Sequence, residues 1–187
     1  MLYPDCGADW IDEDMPADPF PIARASLAAE ANLARFSRQG GTGVVLRFGA
    51  FYGPGAGHSE QLFAWARRGV GQVMGPLDRY APSIHVDDAG SAVVAALHVP
   101  AGTYHAVDDE PLTKRDYAAA MEAAAGRRMW VNAPGRAALA FGDRVASLTR
   151  SLRVSNQRLR AIGWAPRYPS AREGWAATAV SLGHASS

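Results

Sequence analysis

Apolar positions along the chain fall into two rhythms. Over residues 21–39, Ile22, Ala25, Ala29, Leu33 and Phe36 recur at helical spacing, and Leu27, Ala31 and Ala34 form a second stripe. The pattern predicts a helix apolar on two sides and so packed between other elements, with Pro21 in its first turn and Gly40 at its end. Val44–Phe48 is a short β-branched run that reads as a buried strand, and GAFYGPGAG after it reads as a loop. Ser59 is placed to cap a helix over 60–68. Residues 83–86 form a second strand candidate, followed by Asp87 as N-cap of an Ala/Val-rich helix ending near His98. Thr103–Val107 reads as a strand, and Thr113 with Asp116 resembles a capping box for a helix over 114–125 closed by Gly126.

Beyond residue 126 the pattern is helical. Pro134 opens one segment, Ser155 caps a short one ending at Gly163, and Ser170 with Glu173 forms a capping box for the last. Residues 1–20 have neither rhythm; five Asp, one Glu and three Pro make them an extended loop. Strands alternating with helices predict an α/β fold with parallel strands.

Composition narrows the class. The chain has 187 residues, 48% hydrophobic and 20% charged, which suits a globular core and excludes disorder as the main state. No stretch approaches the roughly 20 apolar residues of a membrane helix, and no basic segment leads into an apolar run at the start. A cytoplasmic protein without a membrane partner is expected. The single Cys6 leaves no internal disulfide and no cysteine metal cage. The net charge of +1 conceals opposite ends: residues 1–113 carry 14 acids and 7 bases, net −7, and residues 114–172 carry 3 acids and 12 bases, net +9. Such segments attract each other, or the basic one receives an anion.

Three groupings suggest chemistry and each has a plainer reading. Gly40-Gly41-x-Gly43 precedes a strand, whereas a dinucleotide fingerprint follows one, so it is a turn. Gly53-Pro54-Gly55-Ala56-Gly57 does follow a strand, but Pro54 removes an amide that a phosphate would need. Ser83, His85, Asp87 and Asp88 contain the residue types of a hydrolase triad without a nucleophile elbow; a capping role for the aspartates is expected. His58, His85, His98 and His105 show no zinc-binding spacing, so no metal is expected.

WIDED-x-P, PIARASLAAE, VVLRFGAFYGPG, SIHVDDAGSAVVAAL, GTYHAVDDEPLTKRDYAAAM and LRAIGWAPRYPSAREG occur in this order. Together they resemble the latter half of an extended short-chain dehydrogenase/reductase of the NAD-dependent epimerase/dehydratase family. The resemblance implies a partial Rossmann-like fold: a remnant of the NAD(P)-binding domain over 1–110 and a helical part of the substrate domain over 111–187. It implies an NAD or NADP cofactor and a small-molecule substrate. Phe48, Gly49 and Ala50 would lie beside the nicotinamide, Tyr52 to Gly57, including Gly53 and Gly55, would border the substrate cleft, and Tyr80 and Ser83 would stand where relatives receive a substrate phosphate.

The departures set the functional expectation. The strand, GxxGxxG turn and helix that hold the pyrophosphate do not occur in these 187 residues, so the chain alone is not expected to bind the dinucleotide. The family's catalytic Tyr and Lys fall on Ile22 and Ser26, neither of which can tune or transfer a proton in that way. Ala50 replaces a polar Asn, against a typical nucleotide-sugar substrate, and Tyr168 with Arg172 straddles Pro169 and is a coincidence. A truncated chain or pseudoenzyme, inactive alone and associating with itself or with a missing N-terminal half, is expected. The alternatives are a non-catalytic binding or partner subunit, or anion or nucleic-acid binding through the Arg-rich 127–160. Trp130 and Phe141 are the only aromatics in that stretch, which counts against nucleic acid.

Overall fold

The computed structural model describes residues 2–18, 24–72, 75–132 and 149–184. In chain order its elements are β1 (Trp10–Ile11), α1 (Arg24–Arg38), β2 (Val44–Phe48), β3 (Ala50–Tyr52), α2 (Gly57–Arg67), β4 (Val70–Gln72), β5 (Ser83–His85) and α3 (Val86–Ala96). They continue with β6 (Gly102–Ala106), α4 (Lys114–Ala125), β7 (Trp130–Asn132), β8 (Arg153–Val154), α5 (Gln157–Ala161) and α6 (Ala171–His184).

Every strand pair is parallel: β1 with β8, β2 with β6, β3 with β5 and β4 with β7. The longest, β2–β6, runs in register from Val44 opposite Gly102 to Phe48 opposite Ala106. Alternation then assigns its faces. Val44, Leu46, Phe48, Tyr104 and Ala106 pack on one side against Ala89 and Ala92 of α3 and against Leu159 and Trp164. On the other side Arg47 forms a two-pronged pair with Glu30 of α1, at 3.0 and 2.6 Å.

A second core joins the two ends of the chain. Tyr52 and Phe63 meet Leu112, Ala118 and Met121 of the α4 region and Ala171 and Trp175 of α6, so this cluster draws on both sides of residue 110. The Trp175 indole stacks on Phe63 with ring centroids 5.5 Å apart. A third cluster roots the acidic N-terminal segment through Tyr3 and Ile11 on Val107, Leu152 and Val154.

The opposite charges of the two ends meet as ion pairs. Arg150 binds Asp18 at 2.8 Å, Arg158 binds Asp14 at 2.7 Å and approaches Glu13 at 3.5 Å, Arg160 approaches Asp109 at 3.7 Å, and Arg172 approaches Glu110 at 3.4 Å.

Several local expectations meet the structure as drawn. Thr113 Oγ1 accepts the Asp116 amide at 3.1 Å, Gly126 closes α4 with φ of 64°, and at the start of α6 Glu173 Oε2 accepts the Ser170 amide at 3.1 Å while Ser170 Oγ accepts the Arg172 amide at 3.2 Å. Others are corrected. The loop after β2 contains β3, held by pairing with β5. Helix α2 begins at Gly57, and Ser59 Oγ donates to the Gly53 and Ala56 carbonyls instead of capping. His85, not Asp87, caps α3: its Nδ1 accepts the Asp87 amide at 3.2 Å.

Helix α1 is not sandwiched. None of its residues is buried, and a cleft of about 600 Å³ lined by Leu27, Ala31, Ala34, Val45 and Thr103 opens between part of it and the sheet, while Glu30 still reaches Arg47. Pro21, Ile22 and Pro134 lie outside the described residues. The stretch after 126 is not wholly helical, since β7 and β8 form through pairing with distant strands. No helix among the described residues is long and apolar enough to cross a membrane.

Candidate functional site

Ligands of open parallel sheets bind outside the carboxyl ends of the strands. Here that end is built by the chain leaving β2, crossing to β3 and turning through Gly53-Pro54-Gly55 into α2. Gly49 is required by packing: a Cβ there would sit 2.8 Å from the Ser83 backbone. Gly53, at φ of 118°, would bring a Cβ to 2.7 Å from His85 Nε2. Both glycines therefore have structural reasons independent of a ligand. Ala50 and Phe51 are exposed at the rim, and the Phe51 ring leans on Phe48 at 5.2 Å.

Beneath the rim lies a buried polar hub. Asp108, just after β6, accepts the Ser83 hydroxyl at 2.8 Å and faces Tyr52 Oη without a well-aligned hydrogen bond. Tyr52 Oη, Asp108 Oδ1 and Trp175 Nε1 are buried without a hydrogen-bond partner among the described residues. Burial pushes the Asp108 carboxyl up to about 7, against the pull of the Ser83 and Tyr52 hydroxyls. Burial likewise raises the Tyr52 phenol, with the Asp108 charge adding to it. The His85 imidazole is pushed below its ordinary value by burial, opposed by Asp87 and Asp88. The hub is thus a set of neutral donors and acceptors around one carboxyl whose charged form burial disfavours.

A second polar cluster fastens the N-terminal segment. Tyr3 Oη lies 2.5 Å from His105 Nε2 and accepts from Arg47, while His105 Nδ1 faces the Ser155 carbonyl at 2.9 Å and the His105 amide donates to Glu13 at 2.8 Å. The Ser155 carbonyl can only accept, so it places a proton on His105 Nδ1. Burial lowers this histidine too, opposed chiefly by Glu13.

The site residues named from sequence separate into three groups. Gly49, Ala50, Gly53 and Gly55 gather at the strand ends, and Phe48 points into the core below them. Tyr52 and Ser83 are interior, because α6 closes over β3 and β5; they support the rim instead of lining an open cleft. Tyr80 is half-buried, and the Arg153 guanidinium lies 5.2 Å from its ring while also covering Trp10 at 4.2 Å. Ser83 and His85 share no hydrogen bond, so no triad forms. Among the described residues no three His, Cys, Asp or Glu side chains converge on a metal position. Asp108 was not singled out from sequence; its only signal was an acid directly after a strand.

The Gly53–Gly57 turn does not fit a pyrophosphate. The Gly55 amide donates to the Glu60 carboxylate at 2.7 Å, the Gly53 amide to Ser59 Oγ at 3.2 Å and the Ala56 amide to the Gly53 carbonyl, so a phosphate would find spent donors and a resident anion. The Gly49 and Ala50 amides are also used, on the Ala106 and Pro82 carbonyls. Ser26 is exposed on α1, and Ile22 lies outside the described residues. The sole lysine, Lys114, opens α4 and is pushed down to about 8 by burial and by nearby Arg79.

No protein-family model matches the chain. It is 33% identical over 184 residues to a 3-diazoavenalumate denitrifying reductase of a Streptomyces species, a match covering 90% of this chain and 59% of that protein. Its fold matches human epimerase family protein SDR39U1 (isoform 2) with NADPH at a TM-score of 0.80 and 25% identity, over 96% of this chain and 62% of that one. The chain carries part of an extended short-chain dehydrogenase/reductase fold of the epimerase/dehydratase family. UDP-glucose 4-epimerase from Thermus thermophilus, complexed with NAD, extends the match within this family at a TM-score of 0.75 and 26% identity, over 92% of this chain and 57% of that one. The chain thus spans about 60% of the length of these family members.

Proposed function

We propose that the chain is the substrate-side portion of an NAD(P)-dependent epimerase, dehydratase or reductase, acting on a small molecule, and that it is catalytically silent by itself. The observation that carries this is the Gly53–Gly57 turn, in which the Gly53, Gly55 and Ala56 amides are already engaged by Ser59, Glu60 and Gly53. A dinucleotide in this system is held by polypeptide other than these residues. What the chain contributes is the floor and rim of a pocket: Ala50 and Phe51 face outward, and the Asp108 hub holds the strands beneath them.

The relative named as a reductase and the neighbours complexed with NAD or NADPH support redox chemistry for the whole assembly. A second reading, a non-catalytic binding or partner subunit, is favoured by Ser26 at the position of the family's lysine. Nucleic-acid binding through the wider basic stretch is disfavoured, because Arg150, Arg158 and Arg160 are held by acids of the same chain.

Calorimetry with NAD and NADPH tests the first reading. No saturable heat is expected from the chain alone; a micromolar dissociation constant would refute it and return attention to Gly53–Gly57. Pairing with a nucleotide-binding half separates the two readings: turnover only after Ile22→Tyr with Ser26→Lys identifies a lapsed enzyme, and turnover without them shows another acid at work.

A further inference from the structure

Helices α2 and α4 pack side by side and each runs into a short strand, β4 or β7. Their ends carry the same charge pattern: Arg67 and Arg68 before Gly69, and Arg127 and Arg128 after Gly126. The junctions touch. A Cβ on Gly69 would lie 3.2 Å from Arg127 Nε and 3.5 Å from the Arg128 carbonyl, and the Trp130 amide donates to the Gly69 carbonyl at 2.9 Å. All four arginines are exposed, and none forms an ion pair with the described residues.

Beside them lies an apolar tip. Trp130 is 86% exposed and its register partner Val70 42% exposed. Partners in a parallel pair project to the same side, so the indole and the valine stand together, while Met129 turns inward and is buried. Arginines at helix ends complement the helix dipoles, which is a sufficient reason for one basic residue at each end. It explains neither the doubled pairs nor a bulky indole left in water.

We propose that this corner, built from Arg67, Arg68, Arg127, Arg128, Val70 and Trp130, docks on an anionic phospholipid surface. The two helix C-termini repel a compact anion, so the complementary charge must be spread over an area. A single-stranded nucleic acid uses successive aromatic platforms, whereas one indole is present here, and the adjacent Val70 offers a base nothing. An indole and a short aliphatic side chain flanked by guanidinium groups on long apolar stems is the pattern of side chains that settle at a lipid headgroup boundary. This docking requires no spanning helix, and it is independent of the enzymatic reading.

Co-sedimentation of the full chain with vesicles provides the test, using phosphatidylcholine alone and phosphatidylcholine with about one third phosphatidylglycerol. Saturable binding to the anionic vesicles is expected at about 0.1 M salt, with loss near 0.5 M as screening shortens the reach of the charges. Arg67→Gln with Arg68→Gln should weaken it about 25-fold, at roughly a factor of five per cation. Arg127→Gln with Arg128→Gln should act alike, Trp130→Ala should weaken binding further and Trp130→Phe less, and Arg24→Gln on α1 should change nothing. Equal binding to neutral vesicles, no binding to anionic ones, or indifference to both arginine pairs would overturn the proposal. So would an oligothymidylate that binds more tightly through the same four arginines and displaces the vesicles.

Discussion

Replacing Asp108 by asparagine isolates the energetic consequence of burying a carboxyl in the hub. The carboxyl is 3% exposed and has moved from an ordinary 3.8 to about 7, mainly because burial penalises its charged form. Its pKa is raised on folding, so its contribution to stability is fullest below pH 3.8 and is lost as pH rises towards 7, after which the loss is constant. Three pH units at 1.36 kcal/mol each set that loss at about 4 kcal/mol.

Asparagine keeps the shape and can still accept from Ser83 while turning an amide hydrogen towards Tyr52 Oη, yet it has no charge to bury. Asp108→Asn should therefore be more stable than the parent at pH 8, by about 2 to 4 kcal/mol once imperfect amide hydrogen bonding is discounted. The advantage should shrink towards zero at pH 4. Urea denaturation followed by tryptophan fluorescence at pH 4, 6 and 8 measures this. His85 and His105, whose lowered pKa values add a destabilisation as pH falls below 6.5, are present in both proteins and cancel in the difference. A gap of the same size at pH 4 and pH 8 would refute the reasoning, because a pure packing effect has no such pH dependence.

Two further outcomes follow from packing. Gly174→Ala drives a methyl into the buried Tyr52 ring and Oη, well inside van der Waals contact distance, and should lower stability by about 1–3 kcal/mol, seen as a drop in Tm; an unchanged Tm would mean that α6 can shift freely over the hub. Because α1 buries none of its residues and the β2–β6 pair has no further strand on either edge among the described residues, the chain should associate as concentration rises. Light scattering showing a clean monomer at tens of micromolar, with no binding of an apolar dye, would refute that.

Features set by short-range forces were readable from the order of residues alone. Strand Val44–Phe48, the Thr113 cap, Gly126 at the end of α4 and the Ser170–Glu173 box each depend on residues within a few positions of one another, so their chemistry is visible in the chain. The order of the family motifs was visible for the same reason, and so was the opposition of charge that became the Arg150, Arg158 and Arg160 ion pairs. The tertiary structure alone decided the rest. β1, β4, β7 and β8 are two or three residues long, too short for any periodicity, and exist because a distant strand satisfies their backbone. His85 took the cap from Asp87 because β5 ends on it and leaves its Nδ1 over the Asp87 amide. Tyr52 and Ser83 became interior supports, and Asp108 a high-pKa carboxyl, only when α6 closed over β3 and β5. Burial belongs to the assembled fold: the same carboxyl on an open strand end would keep its water and its ordinary acidity.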